Sequence, residues 1–114
     1  VLTLTQIHEG IVKELKRIGE LVNEIAVAGD ESAHAEAAYK AKFAQARLAS
    51  RALGRDKVTV GQVDDEATDM TADEHLAYLI ANNKLMTCRE ALRASQARLD
   101  GLRTLSTSFR QAGG

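Results

Sequence analysis

The chain contains no proline and no tryptophan, a single cysteine, and only four aromatic residues among 114. Each shortage excludes something. One thiol, Cys88, cannot build an internal disulfide framework. Tyr39, Phe43, Tyr78 and Phe109 are too few aromatics, and turn residues too sparse, for a β-sandwich. No apolar run approaches the roughly 20 residues that a bilayer core demands. No basic segment followed by an apolar one opens the sequence, so no secretory signal is expected and a cytoplasmic location is the default. What remains is 45% hydrophobic residues, mostly Ala and Leu, with 27% charged. That mixture suits long helices packed side by side, and the length suits one domain over residues 1–114.

The net charge of −1 conceals strong segregation. Residues 1–36 carry three Lys/Arg against seven Asp/Glu, and residues 37–55 carry five Lys/Arg and no acid. Residues 56–75 then carry one Lys against seven acids, and residues 76–114 six Lys/Arg against two. Blocks of one sign imply a partner of opposite sign or complementary packing between segments.

Leu4, Ile11, Ile18 and Ile25 recur every seven residues, with Ile7 and Leu21 beside them and Leu15 and Val22 widening the stripe. Glu14 interrupts the second row. The pattern predicts a first amphipathic helix from about Thr5 to Val27, stopped by Ala28-Gly29-Asp30. Asp30 then serves as N-cap of a second, Ala-rich helix over about Glu31 to Leu53, ended by Gly54. Between Arg55 and Thr71 two readings stand. Thr59-Val60-Gly61-Gln62 and Thr71-Ala72-Asp73-Glu74 both fit capping boxes, which favours a short helix from about Val60 to Thr68 and a break over 69–71. Lys57-Val58-Thr59-Val60 also fits a short strand of a hairpin.

The last helix is expected from about Ala72 to Phe109. Tyr78, Leu85, Leu92 and Leu99 form one row, and Ala81, Cys88, Ser95, Leu102 and Phe109 its companion. Asn82, Arg89, Gln96, Arg103 and Arg110 form a polar row alongside. Two shorter helices cannot cover a helix of that length, so the pattern predicts an all-α hairpin or elongated bundle that self-associates. Tyr78, Leu85, Leu92, Leu99, Leu102 and Phe109 are its candidate oligomer interface.

No catalytic constellation emerges from these residues, and no cofactor is expected. Glu31 and His34 make one Glu-x-x-His pair, whereas di-iron bundles use two such pairs plus two further carboxylates. Cys88 falls on a heptad seam, where a packed thiol is expected. The basic tract is more informative. Lys40, Arg47, Arg51 and Arg55 fall on nearly one helical stripe, with Lys42 off that stripe and Lys57 just beyond the helix. Such a cluster can neutralise phosphates without reading sequence, and Tyr39 or Phe43 could stack on unpaired bases. The competing reading pairs this face with the acidic Asp64-Asp65-Glu66 run of the same or a neighbouring chain.

The Ala- and charge-rich helix Ala35 to Ser50, a Gly-containing turn, a Thr-capped acidic segment and a long heptad helix together resemble the phage UvsY-type recombination mediators. The family's Leu-Lys-Ala-Arg-Leu-type motif is matched by Ala44-Gln45-Ala46-Arg47-Leu48. Ala46, Arg47 and Leu48 agree, Gln45 replaces Lys, and Ala49-Ser50 replace the aromatic residues that follow. The resemblance spans roughly Ile7 to Phe109. It implies a non-enzymatic, ring-forming homo-oligomer acting in a host cytoplasm. Such a protein binds single-stranded DNA, competes with single-strand-binding protein and helps load a RecA-like recombinase. Arg47 is the residue it carries over. The alternative class is a helical scaffold or assembly protein of a phage, without nucleic-acid binding.

Overall fold

The computed structural model describes residues 2–52 and 59–113. It contains α1 (Leu4–Ala52), α2 (Val60–Met70) and α3 (Ala72–Ala112), and among the described residues there is no strand. The strand alternative for Lys57 and Val58, and the ending of a helix at Leu53-Gly54, lie outside the described residues. By packing, the chain forms two compact units, one of residues 1–27 with 86–114 and one of residues 28–85.

The expected break at Ala28-Gly29-Asp30 does not exist: α1 is one helix of 49 residues. Its buried and half-buried positions include Ile18, Leu21, Ile25, Ala28, Ser32, Ala35 and Tyr39, stepping by three and four without interruption. Ala28 and Ser32 are buried. Glycine within a helix costs roughly 1 kcal/mol relative to Ala, which a continuous packed face outweighs. Asp30 is accordingly a mid-helix residue whose carbonyl oxygen lies 2.7 Å from His34 Nδ1.

The helix starts are written in local chemistry. Thr59 caps α2 reciprocally: Gln62 N donates to Thr59 Oγ1 and Thr59 N donates to Gln62 Oε1, both at 3.1 Å. Thr3 and Gln6 repeat the device before α1, at 3.2 and 2.9 Å. The expected break after α2 shrinks to Thr71, whose hydroxyl donates back to the Ala67 carbonyl at 2.7 Å.

In the first unit α1 and α3 run antiparallel. Leu102 Cδ1 lies 3.0 Å from where a Cβ on Gly10 would stand, and Arg98 Nε donates to Glu14 Oε1 at 2.9 Å. Ile7, Leu21 and Leu99 are buried there, each contributing about 1.5–3 kcal/mol by leaving water. Glu14, the interruption of the heptad, has a specific partner set. Ser95, fully buried on α3, donates its hydroxyl to the Glu14 carboxylate beside Arg98.

The Ser95 hydroxyl first, and Arg98 second, hold the Glu14 carboxyl below its ordinary pKa. Folding therefore gains from ionised Glu14 above the unfolded value of about 4.3 and loses that gain as pH falls through it toward the folded one. Glu14→Gln is expected to flatten the dependence of Tm on pH between about pH 5 and pH 3. An unchanged slope in thermal melts over that range would contradict the assignment.

In the second unit Lys84 Nζ on α3 meets Glu31 Oε2 on α1 at 3.2 Å. Val63 and Ala67 of α2 are buried, as are Ala46 and Ser50 of α1. Ser50 donates its hydroxyl to Glu66, fixing α2 to α1.

The seam assigned to self-association is used inside one chain. Leu85 and Leu99 are buried, and Tyr78, Leu92 and Leu102 are half-buried, within a single copy; Phe109 is exposed.

Candidate nucleic-acid interface

The acid-free tract begins with Ala37, and its described part belongs to the C-terminal stretch of α1. From Tyr39 the half-buried and buried positions step Tyr39, Phe43, Ala46, Ser50. Tyr39 and Ala46 continue the Leu4 row, but on its companion row Phe43 and Ser50 take the places that the earlier step would give Lys42 and Ala49. This shift brings Arg47 to the edge of the α2 contact.

The structure separates the candidate cations. Lys40 Nζ is 2.6 Å from Glu36 Oε1, one helical turn back, and hydrogen bonding to that carboxylate raises the Lys40 pKa. Arg47 Nε is 3.1 Å from Asp64 Oδ1. Both of those atoms are shielded from solvent and meet without the alignment of a hydrogen bond. Lys42 and Arg51 are exposed. Arg55 and Lys57 lie outside the described residues. Ala44, Arg47, Leu48 and Arg51 line one shallow, open depression, and Leu48 is 65% exposed.

The two aromatics expected to stack on bases, Tyr39 and Phe43, are engaged with other rings. Tyr39, Phe43 and Tyr78 are half-buried and pack on one another. Ring centroids are 6.0 Å apart for Tyr39 and Phe43, and 6.2 Å for Tyr39 and Tyr78. His75, which no sequence motif singles out, completes the cluster by stacking on Tyr39 at 4.7 Å. The signal for this was the heptad phase, since Tyr39 continues the Leu4 row and Tyr78 heads the row of Leu85.

Glu31 and His34 face different partners, the Lys84 ammonium and the Asp30 carbonyl. Among the described residues no group of three or more His, Cys, Asp or Glu side chains could hold a metal ion, and no helix is long and apolar enough to cross a membrane.

Comparison of the chain with protein-family models, curated proteins and solved structures finds no match. The site therefore rests on its own geometry. It offers an exposed cation, Arg51, and an exposed leucine, with a second cation, Arg47, tethered to an acid of α2, while exposed Lys42 lines a separate depression with Glu74.

Proposed function

We propose that this chain is a non-enzymatic homo-oligomer that binds single-stranded DNA and acts as a recombination mediator of the UvsY type. In that role it competes with single-strand-binding protein and helps load a RecA-like recombinase. The observation that carries the reading is the acid-free stretch of α1, which presents Leu48 and Arg51 to solvent beside Arg47, and Lys42 on the opposite side of the helix. Interactions with single phosphates are weak and additive, and an oligomer repeats them along one strand.

The Arg47–Asp64 pair and the Ser50–Glu66 hydrogen bond favour a second reading, in which the basic and acidic blocks only pack against each other in a helical scaffold protein. The two readings differ in what Asp64 does. On the DNA reading Asp64 holds Arg47 back, so Asp64→Asn releases a cation to the strand. Fluorescence anisotropy with labelled oligo-dT is expected to show tighter binding for Asp64→Asn. Lys42→Ala with Arg51→Ala is expected to bind more weakly, and its salt dependence should be flatter by about 0.7 for every phosphate that each subunit no longer neutralises. Neither change should disturb helicity, because partly exposed ion pairs are worth about 0–1 kcal/mol. Absence of oligo-dT binding by the parent chain at low salt would leave the scaffold reading.

A further inference from the structure

Residues 59–83 hold six Asp/Glu and no Lys or Arg. The backbone ladder runs through the junction of α2 and α3. Thr71 N donates to the Ala67 carbonyl at 3.1 Å, and His75 N donates to the Thr71 carbonyl at 2.9 Å. Helical phase therefore carries from one helix into the next. Val63, Ala67, Thr71, Tyr78 and Leu85 take the inner side. Asp65, Asp69, Asp73, Leu76 and Ile80 take the outer side, stepping by four, four, three and four, with Leu79 adjoining them. The outer side is thus one stripe, acidic over its first two turns and apolar over the next.

The whole stripe is exposed, with Leu76 at 57%, Leu79 at 49% and Ile80 at 62%. Among the described residues Asp65, Asp69 and Asp73 meet no cation and no hydrogen-bond donor. The cations of this unit are engaged elsewhere. Lys84 meets Glu31, Arg47 meets Asp64, and Lys42 shares a depression with Met70 and Glu74. A helix that is apolar on its outer as well as its inner side marks a surface that a partner covers.

We propose that this stripe docks a basic amphipathic helix of another protein. Charge selects the occupant. Three carboxylates in register repel a phosphate backbone or an anionic membrane. A neutral apolar partner would strip water from those carboxylates and return nothing. Cations at one-turn spacing, followed by apolar side chains, match both halves of the stripe. The chain's own basic tract is a poorer match, because Lys40 and Arg47 are already held by Glu36 and Asp64. From Asp65 to Ile80 the stripe is about 23 Å long. One helix face of that length falls below the ~800 Å² per partner of stable interfaces, so the contact is a transient one. The proposal goes beyond the DNA reading and uses none of its residues.

The test is fluorescence anisotropy on the full chain with a labelled helical peptide. One face of the peptide carries an Arg at every turn over two turns and Leu over the next. A counterpart with Glu in place of Arg is the control. The parent is expected to bind the Arg peptide with a Kd of about 10–100 μM, and the Glu peptide ~10-fold more weakly or worse. Asp65→Asn with Asp69→Asn and Asp73→Asn should weaken binding of the Arg peptide ~10-fold. Leu76→Ser with Ile80→Ser should weaken it ~10-fold or more. Both variants should keep the helical circular-dichroism signal, since every altered site is exposed. A parent that ignores the Arg peptide, or binds both peptides alike, overturns the proposal, and so does either variant that keeps the parent's affinity. It is overturned equally if the parent's mass by light scattering exceeds 12.3 kDa and falls to that of one chain in the Leu76→Ser, Ile80→Ser variant, because a second copy then covers the stripe.

Discussion

Gly29→Pro is expected to lower stability by about 3 kcal/mol or more, enough to unfold a substantial fraction of a marginally stable domain. Residue 29 lies deep inside the 49-residue α1, so its N–H belongs to the helical ladder and its φ to the helical region. Proline removes the hydrogen bond to the Ile25 carbonyl and drives its ring against that same group. Gly29→Ala should act in the opposite direction. A Cβ there meets no atom within 4 Å, and alanine in a helix interior gains up to about 1 kcal/mol over glycine. If residues 28–30 formed an interhelical turn, proline would be tolerated and alanine would be neutral or harmful. Chemical denaturation of the two variants therefore reads the continuity of α1 directly.

That continuity was legible in the sequence, though not where a Gly-Asp pair draws attention. Leu4, Ile11, Ile18, Ile25, Ser32, Tyr39 and Ala46 keep the seven-residue step straight through residues 28–30. A real turn resets such a phase, so an unbroken phase outranks one glycine. The starts of α1 and α2 were equally legible, because a Thr-x-x-Gln cap is satisfied within four residues. Pairings that depend on how the chain returns are a different matter. No local pattern selects Asp64 over Asp65 as the partner of Arg47. That choice follows from how α2 seats Val63 and Ala67 against α1, which also sets Ser50 opposite Glu66.

The heptads of α3 mark a seam, as their period implies, and Leu85 and Leu99 of that seam are buried within one copy while Phe109 is exposed. Periodicity reports that a face is covered and is silent on which chain covers it. For the same reason Leu15 and Val22 look in sequence like the margin of the core stripe. Once Ile7, Leu21 and Ala28 fill the intrachain seam, they stand on a row of their own. The basic tract shows the limit of charge arithmetic in the same way. Five cations without an acid read as one patch, yet Lys40 and Arg47 each meet a carboxylate that lies outside the tract.

Leu21→Ala carries the other large expected effect, about 2–5 kcal/mol, or roughly 8–20 °C in Tm for a chain of this size. Leu21 is 1% exposed in a unit whose fully buried apolar side chains are few. Removing its isobutyl group loses its transfer energy and leaves a cavity between two helices, each held rigid by its own hydrogen-bond ladder. Val27→Ala, at 57% exposure on the same helix, is the matched control and should fall within about 0.5 kcal/mol of the parent. The contrast reads register: residue 21 points into the seam and residue 27 away from it. A slip of α1 by one residue against α3 would rotate Leu21 outward and bring Val22 in. Leu21→Ala would then cost little and Val22→Ala much, and thermal melts of the three variants would show the order reversed.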